Sequence, residues 1–415
     1  MGNLFKIALR NLLRYKRRTL LTSSLITIGV MAVLLFVAIS GAFKNMMISQ
    51  ITDSMIGHLQ VHKRGYVASI DNLPLHLNLA PKEVQIIERE LDDMAGVEAY
   101  SPRIKFGGMF SNFEETTNVR LNGVDPAREL ASAPLLAKRL LQGKESAVMI
   151  KSGEILVPEL LARGMKVKLG DTVVIVATNR DGSVNAKTFT VSGVLEGLSG
   201  PGGRDGYVHI DDAKEILRID GIEANEYAIR LKDPGALHEV QAHLTESLAA
   251  NLNKQNMPKF EIHSWEKLSP FYNIARMIDL MTLFIRIMLI SIVLVSVMNV
   301  MIMAVFERIK EIGTIAAIGT RPGKILSLFL IEGLSLGILG SLIGSILSLA
   351  AILILQANPL TFDFGRQKGL VLSPTVDLNE ILIVSLLVIA ISTLASLQPA
   401  FKASRMEPVT AMRQV

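Results

Sequence analysis

Catalysis needs side chains of matched chemistry at a spacing that lets them converge, and few stretches of this chain offer it. His58 and His62 lie in Gly57-His58-Leu59-Gln60-Val61-His62, which alternates like a strand and sets both imidazoles on one face. Neither a cysteine nor an H-E-x-x-H pattern accompanies them, so they read as two solvent-facing histidines rather than metal ligands. A phosphate-cradling loop needs G-x-x-x-x-G-K-[ST], whose amides and lysine wrap the phosphates. Gly323-Lys324 is followed by Ile325 and lacks the earlier glycine, and Gly143-Lys144 is followed by Glu145, so neither serves. No G-x-S-x-G elbow occurs. With Cys at 0, disulfides, thiolate metal sites and cysteine nucleophiles are excluded. The chain is expected to hold no catalytic residue, no metal and no cofactor of its own.

The remaining patterned chemistry is that of docking and packing. In Glu307-Arg308-Ile309-Lys310-Glu311-Ile312-Gly313, helical spacing puts Val305, Ile309, Ile312 and Ala316 on one face, and Glu307, Arg308, Lys310, Glu311 and Thr314 elsewhere. Gly319 and Pro322 end the helix. A compact helix of mixed charge, joined rigidly to an apolar segment, suits a groove on a partner protein. Gly333, Gly337, Gly340 and Gly344 form a small-residue stripe that admits close helix packing, within the chain or between two copies. Glu332 stands beside that stripe and calls for a basic partner or a snorkelling path to water.

These groups must be positioned by membrane spans. Half of the 415 residues are hydrophobic and only 20% are charged. The apolar residues gather into charge-poor runs, which excludes a purely soluble enzyme, a disordered chain and a fibrous one. About 20 apolar helical residues cross a bilayer. Four spans are expected at 19–43, 279–306 (charge-free from Ile287), 325–357 and 381–401. Lys6, Arg10, Arg14, Lys16, Arg17 and Arg18 precede the first. Arg308, Lys310, Arg321 and Lys324 lie between the second and third, and Lys402, Arg405 and Arg413 follow the fourth. Positive flanks belong inside, so both termini and the 307–324 loop are expected in the cytoplasm, with 44–278 and the 358–380 loop outside. The net charge of +5 resides in these flanks and does not call for nucleic acid. Residues 1–18 read as an amphipathic helix on the inner membrane surface, among anionic lipid headgroups, and 402–415 as a cytoplasmic tail.

The outer region reads as a large α+β domain. Strands are expected at Val97–Phe106, Asn118–Val124, Thr172–Thr178 and Thr188–Leu195, and helices from Pro81, at Asp211–Leu217 and at Pro234–Asn251. Residues 164–210 look like an inserted β-rich subdomain. Gly197, Gly200, Gly202, Gly203 and Gly206 mark a flexible loop that could contact a partner.

Three places carry a resemblance to a known family: Ala8-Leu9-Arg10-Asn11-Leu12 with Arg17-Arg18-Thr19-Leu20-Leu21; Glu307 to Gly313 through Ala317-Ile318-Gly319 to Ile331-Glu332-Gly333; and Gln398-Pro399-Ala400-Phe401-Lys402-Ala403-Ser404-Arg405 with Glu407-Pro408-Val409 and Met412-Arg413. The chain resembles the FtsX/MacB-like permease subunits of mechanotransmission (type VII) ABC transporters. Gly57-His58-Leu59-Gln60-Val61 and Leu169-Gly170-Asp171-Thr172-Val173 lean towards the lipoprotein-releasing Lol permeases. That resemblance implies two copies of a cytoplasmic ABC ATPase, which hold the ATP and Mg, and a second permease chain, identical or homologous. Since 18 residues precede the first span, the ATPase is expected on a separate chain. Glu307, Arg308, Lys310, Glu311, Ile312 and Gly313 would form the coupling helix. Val33, Leu34, Val37, Val293, Val297 and Met301 would line a substrate cavity between the paired chains.

Three functions remain open on this reading. The first is extraction of lipoproteins or similar amphiphiles from the inner membrane, with a periplasmic chaperone as acceptor. The second is efflux of drugs, peptides or toxins through a periplasmic adaptor and outer-membrane duct. The third is a signal transducer that activates a cell-wall hydrolase.

Overall fold

The structure, a computed structural model, describes residues 10, 14–143, 149–198, 204–358, 360–364 and 367–407. Most of the expected N-terminal amphipathic helix, Gly200, Gly202 and Gly203 of the glycine loop, and the Pro408-to-Arg413 motif lie outside the described residues. The chain divides into two compact units. One holds the residues up to Asn45 and most of those from Arg276 onward, and the other holds Met46–Ala275.

The first unit is helical. Among the described residues four helices are long and apolar enough to cross a membrane: Thr19–Ile56, Phe271–Glu307, Pro322–Ala357 and Leu378–Ser404. Unbranched and branched aliphatic residues fill them with no interior proline until Pro399, where a short helix, Leu397–Ser404, follows a break at Ser396. The third begins where Arg321 is extended and Pro322 takes the first helical position, needing no amide donor there. The first two overshoot their apolar runs. The first is a 36-residue helix, Lys16–Ile51, and the second spans 37 residues. Each is therefore about 54 Å long at 1.5 Å per residue, against a hydrocarbon core of about 30 Å. Both run unbroken across the division between the units. Their seam is a dry core of Ile26, Val30, Val33 and Leu34 with Val293, Val297 and Met301, joined by Phe329 and Leu336 of the third span and Val384 and Val388 of the fourth.

The second unit is built on a ten-stranded sheet. Its strands are β1 Leu59–Lys63, β2 Val97–Ser111, β3 Thr116–Val124, β4 Leu140–Gly143, β5 Glu154–Pro158, β6 Thr172–Thr178, β7 Val184–Leu195, β8 Gly206–His209, β9 Glu226–Leu231 and β10 Phe260–Ser264. The order is β10-β1-β9-β2-β3-β8-β5-β7-β4, while β6 pairs with both β2 and β7. The pairs β2–β3, β3–β8, β8–β5, β5–β7, β7–β6 and β6–β2 close a circuit. Phe106, Phe110, Leu121, Val173, Ile175 and Phe189 share one core with the helix Ile210–Leu217. A methyl on Gly123 of β3 would collide with Ala213 of that helix, so glycine there sets how closely helix and strand approach. Residues 164–210 are thus not a separate insert. Their strands complete a circuit begun by β2 and β3, because β2 continues five residues past the expected Phe106, far enough to pair with β6.

Candidate functional site

The segment expected to dock a partner is a separate short helix. The chain leaves helical geometry at Arg308 (φ −110°, ψ 18°), and a new helix runs Ile309–Ala317. Gly319, at φ +92°, then turns the backbone towards the third span, a conformation that a residue with a Cβ adopts only under strain. Ile309, Ile312 and Gly313 are buried and anchor the helix, as expected for Ile309 and Ile312. Glu307, Lys310, Glu311 and Thr314 are exposed.

Arg308 departs from the expectation. The break turns it inward, where its side chain is 4% exposed and its Nη1 donates to Glu332 Oε1 at 2.8 Å, with Glu332 fully buried. Its guanidinium also lies 4.2 Å from the centre of the Tyr15 ring, whose hydroxyl donates to Glu311 Oε1 at 3.2 Å. Glu332 has therefore found its basic partner, and Arg308 ties the helix Ile309–Ala317 to the third span instead of presenting its charge at the surface. Breaking such a pair one-sidedly leaves a buried charge, which costs several kcal/mol.

The glycine stripe is resolved as packing within the chain. Methyls at Gly333 and Gly337 would run into Ser396 and Ser392 of the last span, and methyls at Gly340 and Gly344 into Ile26 and Val30 of the first. Hydroxyls exploit the close approach: Ser392 donates to the Gly333 carbonyl at 2.8 Å, and Thr27 to that of Gly340 at 3.3 Å.

Val33, Leu34, Val293, Val297 and Met301, chosen as cavity lining, are buried in the seam between the first two long helices, with Val37 half-buried against it. Their apolar surface is used inside this chain. The side chains left exposed on the same helices include Ile28, Ile39, Phe284, Ile292 and Met303. Sequence reasoning missed the polar rungs at one end of this seam: Ser40 with Thr282 at 2.7 Å, Lys44 with Asp279 at 2.7 Å, and Arg286 with Glu380 at 2.9 Å. The signal was present in oppositely charged residues bordering different apolar runs.

The sheet unit holds its own buried charges. Arg103 on β2 donates through Nε and Nη2 to both oxygens of Glu129, through Nη1 to Glu226, and again to the carbonyl of Met55 at 2.6 Å. Arg139, also buried, donates to the carbonyls of Ser54 and Glu196. Ser54 and Met55 belong to Thr52–Ile56, the π-helical turn that ends the first long helix, so these arginines satisfy carbonyls that a helix terminus leaves open. Gly57 follows at φ +74°, where a Cβ would meet the Ile229 amide and carbonyl at 2.9 Å each.

His58 and His62 are not solvent-facing. Both are buried, because β1 is an inner strand between β10 and β9 and its polar face is covered too. His58 Nδ1 accepts from the Leu231 amide at 3.0 Å. His62 stacks on Tyr66 and neighbours His263 and Glu226. Burial lowers the proton affinity of His62 and His263. Burial opposes the ionisation of Glu226, but Lys105, His62 and Arg103 outweigh it and hold the carboxyl well below its ordinary range. Among the described residues no cluster of His, Asp and Glu has a metal-binding arrangement. Gly206 opens β8 beneath Leu121 and Leu156 and so belongs to the sheet rather than to a loop, while Gly197 lies in the coil after β7.

Residues 19–247 match the family described as MacB-like periplasmic core domain, and residues 283–408 match the FtsX-like permease C-terminal family. The chain is 24% identical over 273 residues to the lipoprotein-releasing system transmembrane protein LolC of Haemophilus influenzae, covering 63% of this chain and 64% of that one. It is 25% identical over 406 residues to the macrolide export ATP-binding/permease protein MacB of Bdellovibrio bacteriovorus, covering 94% of this chain and 58% of that one. The matched segments thus span less than two thirds of each of these two relatives. The periplasmic region of MacB from Actinobacillus actinomycetemcomitans covers 51% of this chain and 91% of its own at 13% identity, with a TM-score of 0.36. The spans and the domain between the first two are accounted for together: the chain belongs to the FtsX-like permeases that carry a MacB-like periplasmic core domain.

Proposed function

We propose that this chain is the permease of an ABC transporter in the cytoplasmic membrane, with both termini inside and the sheet domain outside. A partner ATPase, in two copies, binds ATP and Mg, and a second permease chain completes the assembly. The observation that carries the reading is the short helix Ile309–Ala317, with Glu307, Lys310 and Glu311 exposed and Arg308 tied to Glu332 behind them. A docking helix anchored in this way passes a push from an ATPase to the spans instead of absorbing it. The first two long helices continue unbroken into the sheet domain, so they are the levers by which ATP-driven closure moves that domain.

The cargo reading favoured is a lipoprotein or similar amphiphile drawn from the outer leaflet, in line with the name of the LolC relative. An acyl chain of about 14 carbons is held by roughly 11 kcal/mol at ~0.8 kcal/mol per buried CH₂, so unaided release is slow and external work is required. Efflux with an adaptor and duct is the second reading, favoured by the MacB relative that aligns with 94% of this chain. Affinity capture of the chain from mild detergent, followed by mass spectrometry, separates the two. An ATPase with lipoproteins supports extraction, an ATPase with an adaptor and duct supports efflux, and capture without any ATPase ends the transporter reading. Glu311→Lys, which reverses an exposed charge on the docking helix, is expected to reduce ATPase co-purification while membrane insertion stays normal; undiminished co-purification would remove the helix from the docking role.

A further inference from the structure

One cleft of the helical unit combines an apolar wall with unspent cationic donors. Its volume is about 660 Å³, and its wall is formed by Ile325, Leu328 and Phe329 of the third span. Facing that wall are Arg14, Arg308 and Lys324, with Glu311 at the rim 4.0 Å from Arg14. Lys324 is exposed on the first turn of the third span, where helix amides and the helix dipole also favour an anion.

The decisive detail is Arg308. Its side chain is 4% exposed and Nη1 is engaged by Glu332, yet Nε and Nη2 have no hydrogen-bond acceptor among the described residues. Those two nitrogens form one edge of the guanidinium, the planar fork that takes a carboxylate or phosphate through two parallel bonds. Both nitrogens are shielded from solvent beside the Tyr15 ring, and burying such donors without an acceptor is costly, so an anion that enters from the cleft as that ring moves aside relieves a penalty that is otherwise present.

We propose that the cleft binds the phosphate headgroup of an anionic phospholipid, held by the Arg308 fork and Lys324, with the start of an acyl chain along Ile325, Leu328 and Phe329. That the lipid comes from the cytoplasmic leaflet rests on the orientation proposed above. A partner protein's carboxylate or a free phosphate would fill the fork and leave the apolar wall wet, whereas a phospholipid covers both. The bound lipid would bridge the residues before the first span, the docking helix and the third span, making docking geometry sensitive to membrane composition.

The test uses the full chain purified in mild detergent without an ATPase, titrated with phosphatidylglycerol, phosphatidylcholine or inorganic phosphate and read by native mass spectrometry. Phosphatidylglycerol adducts are expected at about tenfold lower concentration than phosphatidylcholine adducts, as charge-assisted bonds to a fork require. Lys324→Ala, at an exposed position, and Leu328→Trp, which fills the cleft, each reduce retention several-fold. Arg308→Lys keeps a cation for Glu332 but removes the fork, and reduces retention about tenfold. Equal retention of the two lipids, or unchanged retention in all three variants, overturns the proposal. Displacement by inorganic phosphate assigns the cleft to free phosphate and overturns it as well. Loss of ATPase co-purification in these variants with lipid retention intact would assign the cleft to the ATPase instead. Lipid retention is read on the chain alone, so its failure leaves the transporter reading standing, and an absent ATPase leaves the lipid result standing.

Discussion

Arg103 in the sheet unit and Arg308 in the helical unit are both buried against carboxylates, yet they are satisfied to different degrees. Every guanidinium nitrogen of Arg103 donates, to Glu129, Glu226 and the Met55 carbonyl. Among the described residues Arg308 donates from Nη1 only. A fully bonded buried ion network over-determines its geometry, whereas a partly bonded one accepts another ligand or a rearrangement. The difference places stiffness where the first long helix ends in the sheet domain and leaves adaptability beside the helix Ile309–Ala317.

The comparison breaks most visibly at Arg103. Arg103→Met strands Glu129 in the interior and removes one of the two cations beside Glu226, which keeps Lys105 at 2.8 Å; it is expected to cost about 3–5 kcal/mol, read as a fall in thermal unfolding temperature and early proteolysis within residues 46–275. A wild-type melting temperature would show that the network is not a clamp. Gly57→Ala tests the same junction through the backbone. The residue sits at φ +74° against the Ile229 backbone, so about 1–3 kcal/mol of destabilisation is expected. Gly41→Ala, with open space around its Cβ position, serves as the control.

Acidification gives a third, smaller effect. Burial lowers the proton affinity of His62 and His263, so below about pH 6.5 the unfolded chain binds more protons than the folded one. Stability should then fall with pH by on the order of 1 kcal/mol per unit for each histidine. Melting curves at pH values on either side of that midpoint check this, and His62→Gln should flatten the dependence. Glu226, held far below the ordinary carboxylate range, stays ionised throughout this window. The smallest effect is expected from removing both members of the helical pair. Arg308→Met with Glu332→Met should change stability by about 1 kcal/mol or less while either single change costs several. Equal losses in the double and single variants would show that the pair contributes more than mutual neutralisation.

Much of this was legible in the residue pattern, and the failures share a cause. Span positions, the buried Ile309 and Ile312 face and the close packing at Gly333 to Gly344 follow from local periodicity and side-chain size. His58 and His62 were misplaced because alternation tells which residues share a face but not whether a second layer covers it. Helical spacing carried through from the second span sets Arg308 on the outer face, whereas the break at Arg308 rotates that side chain inward. Val33, Leu34, Val293, Val297 and Met301 belong to helices that are apolar all round, and such a helix does not mark which stripe meets its own neighbours. The local glycine pattern places Gly206 in a loop, whereas its pairing partner, Leu121, is remote in sequence and leaves no local signal.

The closed circuit of strands has a consequence for association. Closing β2, β3, β8, β5, β7 and β6 on one another leaves β10 and β4 as the margins of the sheet among the described residues. These margins are five and four residues long, so each exposes only a short row of unpaired amides and carbonyls as a template for a foreign strand. Short margins of this kind guard the domain against edge-to-edge aggregation, and would do so through the repeated cycles of movement proposed above.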